Sequence, residues 1–478
     1  MRALLIHPPN NFIRQGYGVK RKVSFGHAPP LGIGYIAAYL ERDGHEVQIL
    51  DACAMELNIE QTVERVQQYR PDLVGITVLT NYADRAKELS ESIKKRMPHV
   101  TTLLGGPHAT YFYREILKEM PDIDHVLYGE ADAVIDTYAR YFKNKDRLKD
   151  IGGLVYRDES GVIVINGPPP LLHNLDDIPM PAWHLYDMRL YRPLPLQYRK
   201  MPFFTMITSR GCHWQKCKFC FQAGYQAVKY RRHSPERVVQ EVEILYNRYG
   251  IREIAFWDDT FVMNSLWLKK FASMIREKNL DISWVASGRA NTMNEDMIRT
   301  VHEAGCWSIF IGVESGNQDL LDLIDKGITL EEIRKTFAAT KKVGIETRAA
   351  YMLGLPNETP EKGRKTIQLA LELDSTYAVF YAAHPRFGTK LYDIALSTGR
   401  FLERAYKGMS KVTYVPEGYA SAEELAKLIR SAYRRFYLRP FYIFKRLYRL
   451  RSYREFAELA KAFILFLGLS NTVQKNPV

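Results

Sequence analysis

Short apolar runs alternate with amphipathic ones twice along this chain, and that rhythm leaves few folds open. In the first 145 residues, "RALLIHPP", "EVQILDA", "DLVGITV", "VTTLLGG" and "DHVLYGE" read as strands. Between them lie "PLGIGYIAAYLERDGH", "IEQTVERVQQYR", "ADRAKELSESIKKRM" and "YREILKEM", with "AVIDTYARYF" after the last. Five Val/Ile/Leu strands alternating with amphipathic helices predict a doubly wound, Rossmann-like parallel α/β sheet. In such sheets ligands sit beyond the carboxyl ends of the strands. Those ends are rich in Gly, Thr, Asn and His, which suits a large polar cofactor. No G-x-G-x-x-G follows the first strand, which argues against a dinucleotide. "GGPHAT" has two readings, a tight turn feeding a helix and a ligand loop.

A break follows. Residues 146–200 hold a β-hairpin around Asp158–Gly161 and a Pro-rich stretch, the composition of a linker. From about 201 to 400 the alternation restarts with "FFTMITS", "REIAFWDD", "DISWVASGR", "WSIFIGVES", "ETRAAYMLGLP" and "TYAVFYAAHP". Six β/α units fall short of an eightfold barrel and predict a partial one, with chemistry on the loops after the strands.

The loop after the first of these strands reads "RGCHWQKCKFC". It puts Cys212, Cys217 and Cys220 inside nine residues of a 478-residue chain that has five cysteines. Three thiolates on one loop can hold one face of an iron–sulfur cluster and leave one iron open. The competing reading is a zinc knuckle with His213 as fourth ligand, whose adjacency to Cys212 makes a strained bite. Cys53 and Cys306 read as ordinary small apolar residues. So few cysteines form no disulfide framework, and a reducing cytoplasm is the expected compartment. "MRALLIHPPNN" does not read as a leader, and the longest apolar run, "FILFLGL", is too short to span a membrane.

The motifs "HAPPLGIGYIAAYLERDGHEV", "GGPHAT", "GEAD", "TSRGC…CKFC", "FWDDTF", "GVESG" and "MLGLPNET", in that order over residues 1–400, resemble the radical S-adenosylmethionine (radical SAM) enzymes. The resemblance is to the branch with an N-terminal cobalamin-binding domain, which includes the anaerobic magnesium-protoporphyrin IX monomethyl ester cyclases and cobalamin-dependent methylases. It implies a [4Fe-4S] cluster on Cys212, Cys217 and Cys220, and S-adenosylmethionine bound to the open iron. Reductive cleavage of its C5′–S bond would give a 5′-deoxyadenosyl radical that abstracts a substrate hydrogen. Carried over residue by residue, Phe219 lies beside the adenine. Asp258 and Asp259 meet the methionyl ammonium, and Ser287 and Arg289 end the third strand, with Arg289 pairing with the methionyl carboxylate. Glu314 and Ser315 bond the ribose hydroxyls, and "GLPNET" helps form the adenine pocket. For Asp258 and Asp259 the alternative is a helix cap beside Thr260. Thr77, Thr80, Gly105, Gly106, His108, Gly129 and Glu130 are the candidate cobalamin contacts.

Two departures stand out. The family's usual cysteine spacing is C-x3-C-x2-C, and here the first gap is one residue longer. The D-x-H-x-x-G motif that supplies a lower histidine to cobalt is absent, so no such ligand is expected.

Of the net charge of +13, +9 lies between Lys427 and Lys461, so the body of the chain offers no basic nucleic-acid surface. Residues 401–478 read as a basic helical region. It opens with a capping box at Ser421 and Glu424, and its Arg and Lys interleave with aromatics. Two readings remain: contact with an anionic membrane surface, and a helical lid packed on the barrel. The function expected is C-methylation or oxidative ring formation on a small apolar substrate (a lipid, isoprenoid or porphyrin), with a flavodoxin- or ferredoxin-type electron donor. The alternatives are a radical SAM enzyme whose first domain has lost cobalamin, and a non-enzymatic metal-binding module.

Overall fold

The computed structural model describes residues 1–10, 26–194, 197–221, 229–402, 412–448 and 457. It divides into two compact units that meet in the sequence at Arg192 and Pro193.

The first unit is built on β1 (Arg2–His7), β2 (Glu46–Asp51), β3 (Leu73–Thr77), β4 (Thr101–Gly105) and β5 (His125–Leu127). Two further strands, β6 (Leu154–Arg157) and β7 (Ile163–Ile165), complete a seven-stranded sheet of order β2-β1-β3-β4-β5-β6-β7. β1 to β5 pair in parallel, whereas β6 and β7 add antiparallel. The hairpin expected within a linker therefore extends the first sheet. Its strand pattern was legible; its pairing partner is a long-range fact that local composition does not carry.

Both sheet faces are covered, which is why β1 reads as an unbroken apolar run. Leu4 and Ile6 join one core with Val74, Ile76, Leu104 and the helix residues Val66, Leu89 and Ile93. Ala3 and Leu5, pointing the other way, join a second with Leu73, Leu103, Ile33, Leu40 and Tyr138. The alternation of side-chain direction along a strand divides neighbouring residues between the two cores.

The second unit contains β8 (Phe203–Met206), the short pair β9 (Ser209–Arg210) and β10 (Arg231–Arg232), then β11 (Glu253–Phe256), β12 (Ser283–Gly288), β13 (Cys306–Glu314), β14 (Glu346–Leu353) and β15 (Tyr377–Ala382). A six-stranded sheet runs in the order β15-β14-β13-β12-β11-β8, every pairing parallel. All six strands expected of the partial barrel are present. The connecting helices start at side-chain caps. Ser234, Thr329 and Thr359 each accept an amide N–H of the first turn, and Pro235 and Pro360 occupy the first helical position.

An open sheet leaves edge groups unpaired. On β15 they are met by the helix Ala422–Tyr437 and the helix Pro440–Tyr448, which follow the antiparallel pair β16 (Gly399–Phe401) and β17 (Tyr414–Pro416). The Tyr437 hydroxyl donates to Ala378 O at 2.8 Å and lies 3.0 Å from Ala378 N, whose proton it accepts. Tyr433 Oη accepts from Phe380 N at 3.2 Å, and Tyr442 Oη donates to Thr376 O at 2.9 Å. Arg439 and Lys445 pair with Asp374. So the described part of the basic region is a lid, and several of its cations and aromatics are spent on the barrel edge rather than held free for a membrane. Its outer face keeps Phe441, Phe444 and Tyr448 exposed. The apolar run Phe463–Phe466 lies outside the described residues. Among those described, no helix is long and apolar enough to cross a membrane.

Ser421 caps its helix as expected, accepting Glu424 N at 3.2 Å, but the Glu424 carboxylate takes Ala420 N instead of completing the reciprocal box.

Candidate active site

The cysteine loop leaves β9 through Gly211, whose φ of 79° only glycine adopts freely. Within the longer first cysteine gap, Gln215 takes a left-handed φ of 53°. That turn is pinned from both sides. Trp214 Nε1 donates to Asp325 O at 2.7 Å, and its ring lies where a Cβ on Gly327 would be. Lys218 N donates to Ile324 O at 2.9 Å, and Lys218 O accepts from Leu391 N at 2.8 Å. Trp214 was not among the residues singled out in the sequence; only the packing shows its role.

Cys212, Cys217 and Cys220 are all half-buried. Cys217 and Cys220 line a pocket of about 390 Å³ with Gln215, Lys216, Lys218, Asp325 and Lys390. Burial pushes the Cys212 thiol up, but a hydrogen bond from His213 and the amides of Trp214 and Gln215 outweigh it and hold the thiol at about 7. Burial raises Cys217, against the opposing pull of Lys326 and Arg289. Two cysteines facing three lysines form a cationic recess, which fits an anionic thiolate-bound cluster. Phe219 packs on Leu320, Ile324, Met352, Leu355 and Leu391.

The strand ends above this loop divide by what they touch. Asp258 is buried. Its carboxylate accepts from Thr208 N and Oγ1 and from Ser209 Oγ, so it ties the β8–β9 turn. Burial raises its pKa, and Arg232 pulls it back. Asp259 is exposed, and desolvation and then the Asp258 charge raise it. Neither aspartate caps the next helix; Asn264 does. Of the pair, Asp259 is therefore the open carboxylate. Ser287 Oγ donates to Asp258 O at 2.5 Å. Arg289 is 7% exposed and lies over the Trp214 ring at 4.7 Å, with Nε on Asn291 and Nη2 buried without a partner. An orphaned guanidinium nitrogen beside the Cys217 thiol fits an incoming carboxylate.

Glu314 sits at a register shift of β13 with φ 67°. Its carboxylate pairs with Lys326 Nζ at 2.7 Å and accepts from Tyr381 Oη at 3.1 Å. Ser315 is fully buried, with its hydroxyl against Asn317 and Thr366, so the ribose expectation rests on Glu314 rather than on both residues. In the "GLPNET" loop, Glu358 accepts from Gly354 N at 2.6 Å and from Tyr419 Oη at 2.7 Å.

In the first unit, the ends of the neighbouring strands β3, β4 and β5 bring the candidate cobalamin residues together. Thr77 ends β3 and Gly105 ends β4. Gly106, at φ 94°, leaves no room for a Cβ against Thr77 Oγ1 and the Val78 backbone, and it precedes the helix Pro107–Glu119. "GGPHAT" is thus a tight turn and a strand-end loop at once. His108 is buried, lies 3.3 Å from Thr80 Oγ1, and is held down to about 4 by burial, so its ring is neutral at physiological pH. Gly129 N donates to Thr110 Oγ1, and Glu130 follows half-buried. Leu79, 44% exposed at the end of β3, supplies an apolar surface beside these polar groups. Strand ends that carry glycines, hydroxyls and one bare leucine fit a broad ring with amide arms.

Comparison with known proteins agrees with both units. Residues 21–139 match the B12 binding domain and residues 206–370 match the Radical SAM superfamily. An uncharacterized methyltransferase of Pyrococcus horikoshii is 34% identical over 441 residues, 92% of this chain and 93% of that one. The anaerobic magnesium-protoporphyrin IX monomethyl ester cyclase of Rubrivivax gelatinosus is 28% identical over 77% of this chain and 65% of its own. Among solved structures, OxsB with aqua-cobalamin and S-adenosylmethionine bound superposes with a TM-score of 0.75 at 15% identity, covering 98% of this chain and 72% of that one. TsrM from Kitasatospora setae, with cobalamin and a [4Fe-4S] cluster bound, gives 0.68 at 17%, covering 98% and 99%. The two matched domains imply cobalamin, S-adenosylmethionine and a [4Fe-4S] cluster as cofactors. This chain belongs to the cobalamin-dependent radical SAM enzymes, whose radical SAM barrel follows an N-terminal B12-binding domain.

Proposed function

We propose that this enzyme transfers a methyl group to an unactivated carbon of a small apolar substrate. The observation that carries the choice is the near full-length match, at 34% identity, to a relative named an uncharacterized methyltransferase, against 28% and 26% identity to the cyclases of Rubrivivax gelatinosus and Cereibacter sphaeroides. Other relatives named as methylating enzymes point the same way, including the hopanoid C-3 methylase of Methylococcus capsulatus, 24% identical over 72% of this chain.

When bound, the cluster and S-adenosylmethionine supply a reductively generated radical, and cobalamin supplies the methyl group. Cys212, Cys217 and Cys220 hold the cluster, and their lysine surroundings offset its charge. Arg289 Nη2 takes the methionyl carboxylate, and Asp259 faces the ammonium. Glu314, fixed by Lys326 and Tyr381, accepts from the ribose hydroxyls. Thr77, Thr80, Gly105, Gly106, His108, Gly129 and Glu130 cradle cobalamin. Electrons come from a flavodoxin- or ferredoxin-type donor.

The test uses reconstituted anaerobic protein with reductant, S-adenosylmethionine carrying a deuterated methyl group, and a neutral-lipid extract. Cobalamin-dependent transfer of label into the organic phase, with 5′-deoxyadenosine and S-adenosylhomocysteine formed together, is expected. 5′-Deoxyadenosine formed equally well without cobalamin, and no labelled lipid, would overturn the reading.

A further inference from the structure

We infer that the loops following β1 and β2 form a second metal site, for one divalent cation of the zinc type, with His7, Asp51 and Cys53 as ligands and His27 as the fourth. It is separate from the cysteine loop, whose ligands all belong to the other unit.

The arrangement begins in the sheet register. β1 and β2 pair in parallel with His7 opposite Asp51, the last residues of both strands. Residues on one rung of a sheet present their side chains to the same face. Cys53 follows in the turn after Asp51. As a result His7 Nδ1, Asp51 Oδ1 and Cys53 Sγ all lie within 4.8 Å of one another. Zinc bonds of about 2.0–2.3 Å in a tetrahedron hold ligand atoms roughly 3–4 Å apart. A small inward shift therefore closes the set. His27 Nδ1 is 3.8 Å from Cys53 Sγ, the spacing of two such ligands.

The surroundings orient these groups. Asp51 Oδ1 accepts from Ala54 N at 2.9 Å and Oδ2 from Tyr191 Oη at 3.2 Å. The Asn10 amide nitrogen lies 3.4 Å from both His7 Nε2 and Pro8 O. Outer contacts of this kind fix ring tautomer and carboxylate direction in metal sites.

A hydrogen-bonded turn explains part of the cluster, namely the His7–Asp51 contact at 2.9 Å and the Asp51–Ala54 bond. It does not explain why the Cys53 thiol joins them, with the His27 imidazole against that thiol. Two imidazoles, one thiolate and one carboxylate favour zinc over magnesium or calcium, which prefer all-oxygen ligands. The expectation that Cys53 is an ordinary apolar residue is replaced by this one. Cys306, fully buried, keeps the ordinary reading.

The test uses the full-length chain with Cys212→Ala, Cys217→Ala and Cys220→Ala, prepared without cobalamin, so that the cluster loop cannot take up metal. Zinc is titrated against a chromophoric chelator. One zinc per chain with submicromolar affinity is expected, weakened about 100-fold or more by adding Cys53→Ser and about tenfold or more by adding His27→Gln. In this background Cys53 and the buried Cys306 are the remaining thiols. Zinc should slow alkylation of Cys53 at least tenfold. An unchanged melting temperature of the metal-free chain on Cys53→Ser shows that the fold survives; if it falls, the His27→Gln titration and the alkylation rates decide. No bound zinc, affinity left unchanged by both substitutions, or an alkylation rate indifferent to zinc would each overturn the site.

Discussion

Glu358 offers a measurement that separates electrostatics from packing. Its side chain is fully buried and anchors the "GLPNET" loop to Gly354 and Tyr419, while Oε2 has no partner. Burial raises its pKa from 4.5 to about 7, outweighing the bonds from Gly354 and Tyr419. Between those values the folded protein holds a proton that the unfolded chain has lost. Stability therefore falls as the pH rises through that window. Carrying the carboxylate fully ionised costs about 3 kcal/mol above the window. In Glu358→Gln the carbonyl keeps the bonds to Gly354 and Tyr419, and nothing ionises. The amide brings donors into the place of Oε2, a penalty of about 1–3 kcal/mol that does not vary with pH. The pH dependence is thus the diagnostic quantity. Urea unfolding of both proteins at about pH 5 and about pH 8 should show the variant gaining about 2.5 kcal/mol on the parent between the two. A difference that stays constant with pH, or that shrinks as the pH rises, would refute the argument that desolvation dominates at this residue.

Replacing Cys212, Cys217 and Cys220 together by Ala should abolish bound iron and reductive cleavage of S-adenosylmethionine, whereas Cys306→Ala should leave both; iron and sulfide analysis with 5′-deoxyadenosine quantitation checks this. The cob(II)alamin form should give electron paramagnetic resonance lines without nitrogen triplets, because no D-x-H-x-x-G supplies a lower histidine; triplet splitting would show a protein or base nitrogen on cobalt. Tyr437→Phe removes a hydroxyl that serves both polar groups of Ala378 on the edge strand. It should cost about 1–3 kcal/mol, and amide exchange at Ala378 should quicken while the β13 amides keep their protection. Gly312→Ala would drive a Cβ into the Glu314–Lys326 pair; destabilisation of about 1–3 kcal/mol and weaker S-adenosylmethionine binding by equilibrium dialysis are expected.

The sequence by itself determined the two α/β rhythms and the cysteine loop, because these are local. A strand's apolar run, a helix's three-to-four spacing and three thiols on one loop are legible without knowing what lies across the fold. All six barrel strands follow from that pattern. So does the absence of a histidine after β1 in the motif that would ligate cobalt. What only the tertiary structure decided is which residues meet. Asp258 and Asp259 are neighbours in sequence, yet one is buried under Thr208 and Ser209 and the other is open. Ser315 follows Glu314 but turns into the helix Pro360–Leu373. Trp214 acts through Asp325 and Gly327, more than a hundred residues away. The basic residues near the C-terminus look free in sequence, but Arg439 and Lys445 are paired with Asp374. His7, His27, Asp51 and Cys53 carry no motif spacing at all. Parallel pairing of β1 with β2 sets His7 against Asp51, and the turn that follows brings up Cys53, so their chemistry exists only once the sheet has formed.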